Sequence, residues 1–256
     1  KDIECSLWGR RRQVSGRSWI VFEGLSFRNA GVHGYADSRV DHVSIRNCEF
    51  RFIGGSVWSE EARIRFGNAV EFWDGCEDVE VLGCSFHDIY DAGVTHQGSE
   101  ESGTPRRVAF RGNTFVKCGL AAYECRGPAA EDVYFERNVC VGAGTGFSEP
   151  GDGTVRRCEH GAYSNCHVLV WRIDQGTQKG GVFIRDNTFD GAPLGAVVCS
   201  SIDPEDEKRF VFEGDRIIQP RGAMLARWGG RWYTTQEFEE YRRATGHERN
   251  GTLEET

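Results

Sequence analysis

VEVLGCSF (79–86) and VAFRGNTF (108–115) share one pattern: apolar-x-apolar-x-x-(Asn, Cys, Asp or Leu)-x-apolar. The same eight positions recur at IVFEGLSF (20–27), VSIRNCEF (43–50), VYFERNVC (133–140), VFIRDNTF (182–189) and FVFEGDRI (210–217). Their sixth residues are Leu25, Cys48, Cys84, Asn113, Asn138, Asn187 and Asp215. Period-2 alternation over a few residues is the mark of a short strand. Its return along the chain is the mark of stacked coils. Starting positions differ by 23, 36, 29, 25, 49 and 28 residues. The minimum fits one three-strand winding, and the excess is insertion. Helical repeats of this period would need apolar residues at i, i+3, i+4 and i+7, but Gly, Asn, Asp and Ser fill the gaps.

A second column gives the register. Gly31, Gly55, Gly93, Gly119, Gly144, Gly195 and Gly222 follow the motifs by four to seven residues, as corners with positive φ or close backbone approach require. Short strands follow: 93–97, 121–125, 146–150, 196–200 and 223–227. A third strand per winding is less distinct, with NAVEFWD (68–74) as a candidate. Sixth-position asparagines would stack at ~4.8 Å and bond along the column, as stacked Asn does in cross-β structures. The fold expected is all-β: a single-stranded, right-handed parallel β-helix of about seven rungs, ending in a short helix. The hand follows the general preference for right-handed parallel crossovers.

Residues 1–233 read as the coil, with its N-terminal rungs missing, and 234–256 as a helical cap or tail. There Thr234 and Glu237 form a capping box, Gly246 stops the helix, and Phe238 and Tyr241 cover the last rung. Excursions are expected at 56–67 and 151–180, where long loops gather on one face.

The chain has 256 residues, 39% hydrophobic, 33 Gly and 6 Pro, with a net charge of −8. That charge argues against a nucleic-acid partner. It does not exclude an acidic polysaccharide, since a local cleft can be basic. Arg10–Arg12 reads as a solvated run. No apolar run reaches the ~20 residues of a membrane span. Ten cysteines include no CxxC pair, which disfavours zinc; Cys158 and Cys166 are candidates for a bridge. GAGTG (142–146) lacks the helix that a nucleotide loop opens. The acidic run 203–207 reads as a solvated turn rather than a calcium site. No metal or cofactor is expected, although calcium would enter for a lyase.

Aligning the second strands by their corner glycines puts His96, Glu124 and Glu149 in one row. Like charges stacked that closely raise each other's proton affinity, and an acidic ladder without purpose costs stability. A general acid beside a base or nucleophile is such a purpose. Asp91 lies at the corner before this row. The expected catalytic set is therefore Asp91, Glu124, His96 and Glu149. Gln97, Arg126, Tyr123, Trp58 and Arg172 are the expected substrate contacts. The bland alternatives are a turn-capping Asp91, a core His96 and a Glu124 paired with arginine.

GNAVEFWDGCEDVEVLGCSFHDIYDAGVTHQG (67–98), AAYECRG (121–127) and the closing YTTQEFEEYRRATGHE (233–248) resemble secreted β-helix proteins linked to glycan breakdown. The repeats over roughly residues 18–233 resemble the pectate-lyase-like superfamily. The resemblance implies a secreted, periplasmic or cell-surface protein with a carbohydrate cleft across several rungs. Three functions follow as expectations. A glycoside hydrolase with paired carboxylates acting on a polysaccharide or oligosaccharide comes first. A lyase acting on uronate glycans is second, kept open by Arg63, Arg65, Arg126 and Arg172. A glycan-binding or adhesin-like coil without chemistry is third.

Overall fold

The computed structural model describes residues 2–4, 18–59, 61, 64–98, 103–127, 130–145, 165–171, 180–200 and 202–256. Among them the chain builds three largely parallel sheets of seven, nine and eight strands, plus one two-stranded hairpin. Successive windings contribute one strand to each sheet in turn, an arrangement compatible with a β-solenoid. The seven-stranded sheet is the motif itself. Ile20, Val43, Val79, Val108, Val133, Val182 and Phe210 pair in one unbroken register. The eighth motif positions stack in the nine-stranded sheet, as Phe27, Phe50, Phe86, Phe115, Cys140, Phe189 and Ile217.

What bends the chain between these two sheets is the fifth motif position. Gly24, Asn47, Gly83, Gly112, Arg137, Asp186 and Gly214 all have φ between +51° and +73°. A left-handed residue there reverses the backbone before the next strand, and glycine takes it at least cost. The sixth position then closes the turn. Cys84 N–H donates to Asn113 Oδ1 at 2.8 Å, and Asn113 N–H to Asn138 Oδ1 at 2.9 Å. Asn138 N–H donates to Asn187 Oδ1 at 2.9 Å, and Asn187 N–H to Asp215 Oδ1 at 2.7 Å. Each Asn amide also donates back to a carbonyl of the preceding winding, at Val81, Phe110 and Phe135. Buried turn amides are thereby satisfied, each otherwise costing about 1–3 kcal/mol.

The interior is aromatic and aliphatic. Phe27, Phe50, Phe86 and Phe115 stack face to face, with centroids 4.5–5.0 Å apart. The corner glycines serve both expected purposes. Gly55, Gly144, Gly195 and Gly222 have positive φ. At Gly93 and Gly119 a Cβ would instead come within 2.5 Å of Phe115 and 2.4 Å of the Tyr90 carbonyl.

The eight-stranded sheet departs from expectation in two places. NAVEFWD supplies Val70–Trp73, the third strand of its winding, but it stacks directly beside Ala92–Gln97, so the strands after the corner glycines belong to this same third sheet and each eight-residue motif spans two strands. The strand that stacks on Ala121–Arg126 is Cys166–Trp171, inside the stretch expected as an excursion. Residues 146–150 lie outside the described residues. The shorter excursion does occur, as the antiparallel hairpin Ser56–Ser59 with Ile64–Phe66. Cys166 is a buried free thiol, so it makes no bridge to Cys158.

At the C-terminus Glu237 Oε2 accepts from the Thr234 N–H at 2.9 Å, and helix Phe238–Thr245 ends on Gly246 with φ +73°. Tyr241 is buried in the core cluster and Phe238 packs against it. The tail then adds a strand, Thr252–Glu255, to the nine-stranded sheet, which a purely helical cap would not. The acidic run forms a short helix, Pro204–Glu207, with Asp203 accepting from the Glu205 N–H at its start.

Candidate active site

The outer face of the eight-stranded sheet carries the polar cluster. Alternation sets the faces: Val70, Phe72, Val94, Tyr123, Cys125, Val168 and Val170 join the central core. Their neighbours Glu71, Thr95, Glu124 and Leu169 form one column on the opposite face. Gln97, Arg126 and Trp171 lie two residues further along their strands.

Glu124 is the centre of this face. Its Oε1 accepts from the Trp171 indole N–H at 2.6 Å, and its Oε2 from the Gln97 amide at 3.1 Å. The Gln97 oxygen accepts from Arg126 at 3.0 Å. That contact fixes the amide's direction and leaves its nitrogen to Glu124 and to the Thr95 hydroxyl, 3.2 Å away. Arg126 lies 4.9 Å from the centre of the Trp171 ring, so the cation and the indole form one half-buried wall beside the carboxyl. Burial raises the Glu124 pKa, and the charges of Asp91 and Glu71 raise it further. Arg126 and the Trp171 hydrogen bond pull it down, and it settles at about 7. A carboxylic acid with that midpoint holds and releases a proton near neutral pH.

Asp91 is half-buried at the corner entering Ala92–Gln97, where its Oδ2 accepts from the Gly67 N–H at 3.3 Å. Glu71 completes the acidic group. Its Oε2 accepts from the Asn68 side-chain amide at 2.7 Å and lies 3.1 Å from His33 Nδ1. Asn68 Oδ1 accepts in turn from the Ala92 N–H at 2.9 Å, tying Glu71's support to the winding that bears Asp91. A proton on His33 Nδ1 would donate to Glu71; without it, the nitrogen accepts from the Asn68 N–H at 3.1 Å.

Several expected residues lie elsewhere. His96 pairs with Phe72 and Cys125 and faces the interior, with no solvent exposure. Its Nδ1 meets the Tyr123 hydroxyl at 3.3 Å and its Nε2 meets the Cys125 thiol at 3.6 Å. Burial lowers its pKa to about 4, so it is neutral at pH 7. It is a satisfied core histidine and does not share a column with Glu124; Thr95 does. Tyr123 is likewise buried in the core, so Trp171 takes its place as the aromatic surface. Glu149, Arg172 and the Trp58 side chain lie outside the described residues. Glu71 was the residue that sequence reasoning missed. The signal for Glu71 was present, since Val-Glu-Phe-Trp alternates and follows Gly67.

Among the described residues no group of three or more His, Cys, Asp or Glu is placed to hold a metal ion, and no helix is long and apolar enough to cross a membrane. Compared with known proteins, the chain matches no family model and no curated protein.

Proposed function

We propose that the protein is a glycoside hydrolase of the right-handed parallel β-helix type, secreted and acting on a polysaccharide or oligosaccharide. The right hand follows from crossover chirality, because a chain leaving one parallel strand returns to the same sheet right-handedly in nearly all proteins. The kinship with pectate-lyase-like proteins rests on the repeat and on the stretch 67–98.

The observation that carries the hydrolase reading is Glu124. It is a buried carboxyl on the outer face of a rigid sheet, held near neutrality and flanked by two further carboxylates. Cleaving a glycosidic bond needs a group that is protonated at working pH and gives that proton to the departing oxygen. Burial first, and then the charge of Asp91, favour that state of Glu124. The indole and guanidinium of Trp171 and Arg126 supply a flat surface and hydrogen-bond donors, which suit a sugar ring. Among the described residues three carboxylates and one arginine lie at the centre of this face, a balance that favours neutral glycans over uronates.

The test is a panel of aryl glycosides and of neutral and acidic polysaccharides, assayed with wild type, Glu124→Gln and Asp91→Asn. Glu124→Gln is expected to lose about 10²–10⁴-fold in turnover. Unsaturated products absorbing in the near ultraviolet would replace hydrolase with lyase. Retention of a glycan without cleavage would leave a binding protein.

A further inference from the structure

We propose that the C-terminal end of the seven-stranded sheet is a peptide-binding site. An extended segment of no net charge, with apolar residues at alternate positions, joins the sheet there as one more strand. The three sheets end differently. The nine-stranded sheet is finished by Thr252–Glu255, and the eight-stranded sheet by the antiparallel strand Arg231–Thr234. The seven-stranded sheet stops at Phe210–Glu213, and among the described residues no strand pairs with its far side.

The bonds already made define that far side. The carbonyls of Arg209 and Glu213 accept from the Val182 and Asp186 N–H groups of the preceding winding. The Phe212 carbonyl points the other way and accepts from the Glu248 N–H at 2.7 Å. By the alternation of a parallel strand, the Phe210 N–H and C=O and the Phe212 N–H share its side. Among the described residues none of these three groups has a partner. Edge strands are usually blunted by proline, lysine or a bulge, and Phe-Val-Phe-Glu carries none of these. A partly enclosed cavity of about 650 Å³ lies over this edge, lined by Phe210–Glu213 with Trp228 and His247. Ligand sites commonly span about 300–1,000 Å³.

Two features choose the occupant. Free main-chain groups recurring two residues apart match an extended peptide, whose own N–H and C=O groups alternate with the same period. Around the cavity Glu207 and Glu213 offset Lys208 and Arg249, so the site suits a segment whose charges cancel. Phe210 and Phe212 point into the core, where the Trp228 ring meets them at 5.7 and 5.4 Å, and the His247 ring lies 4.7 Å from Trp228. Side chains of an added strand that point the same way meet those two rings, which favours apolar residues at alternate positions. The chain's own repeat strand has this pattern.

The probe is therefore the acetylated, amidated peptide GVFIRDN (181–187), titrated into the whole protein. Amide exchange followed by NMR should slow at Phe210 and Phe212 as the peptide saturates. Two further peptides carry methyl groups on alternate backbone nitrogens, one in each phase. One phase removes the N–H groups turned toward the protein and should weaken binding by about tenfold or more. The other spares them and should bind like the parent. Affinity indifferent to the phase, no slowing at Phe210 and Phe212, or no saturable binding up to millimolar peptide each overturns the proposal. A concentration-dependent dimer in light scattering that already protects these two amides would give the edge to a second copy and overturn it as well.

Discussion

At Glu124 two opposing sets of neighbours are balanced. Burial, Asp91 and Glu71 favour the proton, while Arg126 and the Trp171 hydrogen bond favour its loss. Each set can be removed singly. Trp171→Phe deletes the indole donor and keeps a ring, so the Glu124 midpoint should rise above its value near 7. Asp91→Asn removes a like charge, so the midpoint should fall. Carbon-13 carboxyl titration by NMR follows both. Shifts in the same direction, or none, would mean that these neighbours do not act on Glu124. His96 shows the other outcome available to a polar residue on this sheet. One position along the strand from the cluster, it is enclosed and neutral, and it packs as a core group.

Among the elements, the sixth-position ladder has an anomaly at its end. Cys84 through Asn187 pass neutral hydrogen bonds upward, but Asp215 follows, and its N–H donates to Glu248 at 3.2 Å. Burial raises the Asp215 pKa to about 6, against an ordinary 3.8. An acid whose folded-state pKa lies above its unfolded value costs stability at high pH. That cost is full above about pH 6 and disappears below 3.8. Asp215→Asn restores the repeat, since the new amide would meet the Ile184 carbonyl as Asn187 meets that of Phe135. The variant should be more stable than wild type at pH 7–8, because it removes a buried charge that also faces the Glu248 carboxyl, with the advantage fading as the pH falls toward 3.8. Denaturant melts across that range test it; equal stability at every pH would count against a strained end to the ladder.

The same elements explain what could be read in advance. The first sheet's register was legible because eight fixed positions carry it without a gap. The face of Glu124 was not, because the corner glycine is a poor ruler. Gly93 comes one residue before the inward Val94, whereas Gly119 comes four before its partner Tyr123. Aligning on glycine slipped the strands by one residue, and with a period of two a single step exchanges the faces. His96 was thereby put outside, and Glu71 went unnoticed. The strand Cys166–Trp171 was hidden by the longest spacing, where length argued for an excursion.

For the whole molecule, what matters is which strands lie at the two edges of the stack. Strand Asp2–Glu4 forms one edge of the nine-stranded sheet and Thr252–Glu255 the opposite edge. Tension applied between handles attached at these two edge strands therefore runs along the stacking axis, parallel to the inter-strand hydrogen bonds. Bonds loaded this way open in sequence, like a zipper, rather than resisting together in shear. Held in optical tweezers, the protein should lengthen in a train of small, low-force steps, each releasing one winding; a single abrupt rupture would show that the windings yield as a unit.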